Sequence, residues 1–140
     1  MSVEELLQKV LYTEGANRVE LARKSLNRAL EELPRFDIPK DNYGIFIVAL
    51  IKLFVRADRN VSFEEYSFVR EVIPMHLTSQ EFIDRMNSTA DDGLIIWVDN
   101  LIDRFSPEGK EAACTFGLCI MESDDVLTRE EYEVFSKLLK

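Results

Sequence analysis

Histidine and cysteine are scarce in this chain of 140 residues, which has one His and two Cys. A Ser or Cys nucleophile needs a basic neighbour, and His76 lies in a connector, where a packing or surface role is more common. A catalytic triad and a His/Cys zinc site are therefore not expected. Cys114 and Cys119 fall on different faces of one predicted helix, which predicts two buried free thiols rather than a disulfide.

Glycine and proline are also few, with 5 and 4 residues, which predicts long elements and short connections. No Gly-rich phosphate cradle is present. The longest apolar run, Tyr43 to Val55, contains Lys52 and is shorter than the ~20 residues that cross a bilayer. The N-terminal residues are acidic rather than basic, so we expect no secretory signal, no transmembrane segment and a cytoplasmic protein.

Positive charge is in the minority. The chain has 17 basic and 26 acidic residues, a net charge of -9 and a pI near 4.7. This charge repels phosphate backbones and argues against nucleic-acid binding, whereas it suits cations or a basic protein surface. One local basic excess lies in a predicted helix from Asn17 to Leu33, and we interpret it as a solvated face in preference to an anion site: Arg18, Arg23, Lys24 and Arg28.

The most informative feature is a stretch that occurs twice. Residues 57–73 and 123–139 align at an offset of 66, so that Asp58 corresponds to Asp124 and Glu65 to Glu131. Each copy is an acidic turn followed by an amphipathic helix, and each follows an apolar helix. The repeat predicts two related units, about 43–73 and 107–139, within one domain covering residues 1–140.

Helix-start signals recur along the chain. Ser2 with Glu5, Ser62 with Glu65 and Thr128 with Glu131 have the hydroxyl-x-x-glutamate spacing of a capping box. Ser106-Pro107 combines a hydroxyl cap with proline at the first helical position. Strand-like alternation is missing, so we predict an all-α, compact multi-helix domain of about eight helices. We expect the apolar helices 43–57 and 107–122 to be its centre.

Carboxylates are the only reactive groups that occur in numbers in the two copies of the repeat. The candidate metal ligands are Asp58, Glu65, Asp124, Asp125 and Glu131. Oxygen ligands suit divalent cations such as calcium, magnesium or manganese, and no other cofactor is indicated. Capping of helices and local turn bonds explain the same residues without a metal, and this structural interpretation is favoured over ligation.

An EF-hand is excluded by the residues upstream. If Glu65 is aligned with the terminal glutamate of the EF-hand loop, Phe54 and Arg56 occupy the first two ligand positions. In the second copy Ile120 and Glu122 occupy them, and neither copy has the glycine that the loop turn requires.

The doubled arrangement resembles the tellurite-resistance TerB family, whose wider group includes the central region of DjlA-type membrane co-chaperones. The resemblance covers roughly residues 17–140, and its specific motifs are the two acidic turns. It implies a compact helical domain with paired repeats, an association with bacterial stress response, and protein partners at the membrane face. It also implies an acidic metal-associated site, carried here by Asp58, Glu65, Asp124 and Glu131. The family usually has glycine after the Asp, where this chain has Arg59 and Asp125.

Three classes of function are compatible with these observations. The first is a non-enzymatic TerB-like module that binds protein partners, with or without a divalent cation. The second is a metal-free structural or interaction domain. The third, a hydrolase that uses the acidic turns, is the least favoured, because it needs a cleft with a carboxylate of raised pKa.

The caps give the first testable prediction. Ser62→Ala and Thr128→Ala should each lower the unfolding free energy by about 1 kcal/mol, because each removes the acceptor for an orphan amide at a helix start. Chemical denaturation measures this change. Two variants as stable as the wild type would contradict the capping interpretation.

Overall fold

The computed structural model describes residues 2–13, 16–55, 63–72, 92–121 and 129–139. This part of the chain is entirely helical apart from turns, and it contains no strand. The predicted all-α class is confirmed, whereas eight helices in two related repeats remain a prediction. The spacing of Thr78 and Glu81 predicts a further short helix, and these residues lie outside the described part of the chain.

The described segments contain seven α-helices and two short 3₁₀ helices. The α-helices are α1 (Val3–Leu11), α2 (Ala16–Leu30), α3 (Tyr43–Val55), α4 (Phe63–Val72), α5 (Asp92–Asp103), α6 (Pro107–Met121) and α7 (Arg129–Leu139). The 3₁₀ helices Leu33–Phe36 and Lys40–Asn42 connect α2 to α3. No helix in these segments is long and apolar enough to cross a lipid bilayer.

Helix α1 begins with the predicted capping box. The Ser2 hydroxyl accepts a hydrogen bond from the Glu5 amide at 3.2 Å. The Glu5 carboxylate accepts from the Ser2 amide at 3.5 Å, so each residue satisfies an amide that has no partner within the helix. The hydroxyl-x-x-glutamate spacing therefore does start a helix in this chain.

Helix α6 is the centre of the described fold. It contacts each of the other six described α-helices, and all residues from Ala112 to Ile120 are buried. Thr115, the one hydroxyl in that run, donates to the Glu111 carbonyl at 2.7 Å and so has a partner inside the core. A helix that is apolar around its whole circumference has to be surrounded by others.

Helix α3 is the second buried helix, and it contacts α6 as its sequence predicts. The largest interface of α6 is nevertheless with α2. The buried stripe of α2 includes the small residues Ala22, Ser25 and Ala29, which let the two helix axes approach closely. Sequence periodicity identifies that stripe, but it does not reveal which helix it packs against.

Helices α3 and α6 run in the same direction. The ring of Phe46, near the start of α3, lies 6.1 Å from the ring of Phe105, just before α6. Towards the other end, a Cβ placed on Gly117 of α6 would be 2.6 Å from the ring of Phe54. Phe54 also stacks on Phe135 of α7, with ring centroids 4.9 Å apart. The chain therefore leaves both helices at the same end of the pair.

Gly117 gives a test of this packing. Gly117→Ala should lower the unfolding free energy by about 1–3 kcal/mol in chemical denaturation, because the added methyl group displaces the buried Phe54 ring. Gly93→Ala is the matched control, since no atom lies within 4 Å of its added Cβ. The control should be neutral or more stable by up to about 1 kcal/mol. A Gly117 variant at least as stable as the wild type would contradict the close approach of α3 and α6.

Candidate functional site

The predicted metal ligands lie at the edge of what the structure describes. Asp58, Asp124 and Asp125 are outside the described residues. Glu65 and Glu131 belong to the first turns of α4 and α7, but their side chains are not described. Within the described segments no group of three His, Cys, Asp or Glu side chains is placed to hold a metal ion. The metal site at the acidic turns therefore stays a prediction from the sequence.

The described helices do fix where each acidic turn begins. The chain leaves α3 at Val55 and α6 at Met121, and these helices end side by side because Phe54 packs against Gly117. It returns in α4 and α7, both of which contact α6. The two copies of the repeat are therefore anchored to one helix.

A second candidate site is an open cleft between α1, α2 and α6, with a volume of about 290 Å³. Its apolar surface comes from Leu6, Leu21 and Ala112, and its hydroxyl groups from Ser25 and Thr115. The charged residues around it are Lys9, Lys24, Arg28, Glu108 and Glu111. No feature of the sequence indicated this cleft, because its walls come from three helices that are far apart along the chain.

Charge is separated across the cleft. All three cationic residues belong to α1 or α2, whereas both acidic residues belong to α6. Within the described structure Lys9, Lys24 and Glu108 form no ion pair, although side chains of opposite charge line the same cleft. Lys9 and Lys24 on one wall and Glu108 on the other are therefore available to a ligand.

The buried hydroxyls of the cleft differ in their hydrogen bonding. Thr115 donates to the carbonyl one turn earlier, as helical threonines commonly do. Ser25 is more than nine-tenths buried, yet its hydroxyl has no hydrogen-bond partner among the described residues. A buried polar group without a partner costs free energy, so the Ser25 hydroxyl is available as a donor to water or to a ligand in the cleft.

Arg28 connects the cleft to the start of α6. It approaches the carboxylate of Glu32 at 3.3 Å and donates to the Ser106 hydroxyl at 3.3 Å. The Ser106 hydroxyl accepts from the Gly109 amide at 3.1 Å, which confirms the predicted cap of α6. Arg35 also lies 3.3 Å from Glu32, so two cations flank one buried carboxylate.

Glu32 completes this cap from another part of the chain. Its carboxylate accepts a hydrogen bond from the Ser106 amide at 2.6 Å, which is the role of the third helical residue in a capping box. That position in α6 is Gly109, where an added Cβ would lie 2.5 Å from the Glu32 carboxylate. Because Gly109 has no side chain, the Glu32 carboxylate can occupy this space.

The environment of Glu32 acts on its pKa in two directions. Burial of the carboxyl group favours the neutral form, but hydrogen bonds from Ser106 and the charge of Arg28 outweigh this and hold the pKa below its usual range. The group is therefore ionised at neutral pH, as a negative charge at a helix N-terminus should be.

The two cysteines lie inside α6 and are buried free thiols, as predicted. Desolvation raises the pKa of Cys114 to about 12, with a smaller contribution from the charge of Glu111. Burial likewise raises the pKa of Cys119 to about 12. At neutral pH both thiols are protonated core groups rather than nucleophiles.

The basic residues of α2 have separate roles. Arg23 donates to the Glu71 carbonyl at 2.8 Å and so joins α2 to α4. Lys24 and Arg28 line the cleft. Arg23 and Lys24 are exposed, as a solvated face predicts, whereas Arg28 is only half-exposed and contacts Glu32 and Ser106. The spacing of Arg28, Glu32 and Arg35 was the only sequence signal of the buried carboxylate.

Comparison with known proteins gives no relative. A scan against protein-family models finds no matching family, and searches of curated proteins and of solved structures find no match. The resemblance to the TerB family consequently stays a prediction from the residues of the two acidic turns.

Glu32 gives a prediction about pH. Because its pKa is lowered in the folded protein, the ionised carboxylate stabilises the fold above its unfolded value of 4.5. This stabilisation is lost as the pH falls through the lowered folded pKa. At pH 7, Glu32→Gln should lower the unfolding free energy by about 1.5–3 kcal/mol, and the difference from wild type should shrink towards acid pH.

Glu31→Gln is the matched control, because the Glu31 side chain is 70% exposed and lies 3.8 Å from the same arginine. Its effect should stay below about 1 kcal/mol. Urea denaturation at several pH values provides the measurement. A constant difference between wild type and Glu32→Gln from neutral to acid pH would rule out the ionised cap.

Proposed function

We propose that this chain is a non-enzymatic, TerB-like binding module that acts in a bacterial stress response through protein partners. Its binding surface is formed by the two acidic turns, where Asp58, Glu65, Asp124, Asp125 and Glu131 provide oxygen ligands for a divalent cation. The net charge of -9 favours cations and basic protein surfaces as its ligands.

The observation that carries this proposal is the shared direction of α3 and α6. Each helix leads into one copy of the acidic turn, and the contact between Phe54 and Gly117 brings the ends of the two helices together. Glu122, Asp124 and Asp125 crowd three carboxylates into the second turn, where they repel one another. A divalent cation or a basic partner group relieves that repulsion.

The second turn is the stronger of the two cation candidates. It combines Glu122, Asp124 and Asp125, whereas the first turn has Arg59 immediately after Asp58. A guanidinium group next to the first carboxylate competes with a metal ion for it. We therefore place the dominant ligands in the second turn, with the first turn as a supplement.

A metal-free interaction module is the second candidate. The Ser2–Glu5 capping box shows that a glutamate at this spacing serves a helix start in this chain. Glu65 and Glu131 have the same spacing from Ser62 and Thr128. If they act only as caps, the acidic turns contact partners without an ion.

Thermal unfolding separates these candidates. Millimolar calcium, magnesium or manganese should be compared with chelator at constant ionic strength. A specific site should respond most to one ion, and the gain in unfolding free energy is about 2.7 kcal/mol when the ion is at a hundredfold excess over its Kd. Asp124→Asn should abolish the gain.

The control is Asp41→Asn, an exposed aspartate in the connector before α3. It removes the same charge elsewhere and should keep the response to the ion. Equal shifts with all three ions that survive Asp124→Asn would show only screening of the net charge. That result, or the lack of any shift, would reject the cation site in favour of the metal-free module.

A further inference from the structure

We propose that the cleft between α1, α2 and α6 binds a small zwitterion with an apolar part, namely an aliphatic α-amino acid. The carboxylate would bind to the α1–α2 wall and the ammonium group to the α6 wall. This site is separate from the acidic turns, because its α6 residues lie between Glu108 and Thr115, whereas the second turn follows the far end of that helix.

The first argument is the separation of charge. Lys9 and Lys24 present ammonium groups from α1 and α2, and Glu108 presents a carboxylate from α6. None of these three has an ion-pair partner within the described segments. A ligand that carries both charges matches both walls at once, whereas a simple anion or cation would meet one wall of its own sign.

The second argument is the buried hydroxyl of Ser25. It belongs to the same wall as Lys24, and it is the one cleft hydroxyl without a hydrogen bond in the described part of the chain. A ligand carboxylate there would accept a charge-assisted hydrogen bond from the Ser25 hydroxyl. The site thus offers a hydroxyl donor beside two lysine ammonium groups.

The third argument concerns size and total charge. A volume of about 290 Å³ is at the small end of ligand sites, and Leu6, Leu21 and Ala112 give it an apolar surface. A short aliphatic side chain would cover that surface. Because a zwitterion has no net charge, the overall charge of -9 does not oppose its approach as it would oppose an anion.

Isothermal titration calorimetry on the full chain tests the proposal with glycine, alanine, valine and leucine. Valinamide, which keeps only the positive charge, and isovalerate, which keeps only the negative charge, are the matched probes. The preferred amino acid should bind at least about tenfold more tightly than either probe of one charge. No binding of any amino acid at tens of millimolar would overturn the proposal, as would equal binding of valine and isovalerate.

Variants locate the site. The double variant Lys9→Met/Lys24→Met should weaken amino-acid binding by about tenfold or more, and Glu108→Gln by several-fold. Lys110→Met is the matched control, because Lys110 lies on α6 next to the cleft without lining it. Glu71→Gln on α4 is the control for Glu108→Gln, because it removes a carboxylate away from the cleft. Binding that survives the double variant, or that the controls weaken equally, would place the ligand elsewhere.

Ser25→Ala distinguishes ligand binding from a structural role. The Ser25 hydroxyl has no partner in the described structure, so its removal should leave the unfolding free energy unchanged or slightly higher. Amino-acid affinity should nevertheless fall by about tenfold, the usual effect of losing a hydrogen bond to a charged group. Unchanged affinity in this variant would contradict the assigned orientation of the ligand. The amino-acid titrations test the cleft and the cation titrations test the acidic turns, so either proposal can fail without the other.

Discussion

The buried carboxylate of Glu32, two residues after the end of α2, accepts a hydrogen bond from the amide of Ser106, the residue that caps α6. It substitutes for the glutamate that a capping box would carry on its own helix, and Gly109 provides the room for it. Helix α6 has no alternative partner for that amide among the described residues. The start of the central helix is therefore held by a contact between residues that are far apart in the sequence.

The position of α6 in turn arranges the rest of the described fold. The other six described α-helices pack on it, and α3 runs beside it in the same direction. As a result the two ends of α6 have different chemistry. Its N-terminal half forms one wall of the cleft, where Glu108 has no ion-pair partner among the described residues, and its C-terminal end leads into the second acidic turn. The two proposed binding activities therefore lie at opposite ends of one buried helix.

Local sequence signals predicted the helical elements well. Ser2 with Glu5 and Ser106 with Pro107 marked helix starts, and the apolar runs of α3 and α6 identified buried helices. The apolar runs predicted the contact of α3 with α6, but the other contacts between distant segments were not predictable in this way. Glu32 appears as an ordinary surface glutamate, and Lys9, Lys24 and Glu108 appear as solvated charges. Only the packing of α1 and α2 on α6 makes a cleft of these residues. The predicted ligands of the acidic turns remain a prediction from the repeat.

The most direct test of α6 as the central, cooperative helix uses its own cysteines, Cys114 and Cys119, which are the only two in the chain. Their labelling by a thiol reagent can be followed across a range of denaturant concentrations. The pH is chosen so that the protein opens and closes faster than an exposed thiol reacts with the reagent. We predict that, once each labelling rate is divided by the rate of the same thiol in the unfolded chain, both thiols give one opening free energy. This free energy and its denaturant dependence should equal those of global unfolding. Labelling of either thiol through a smaller opening, with little dependence on denaturant, would contradict the central position of α6.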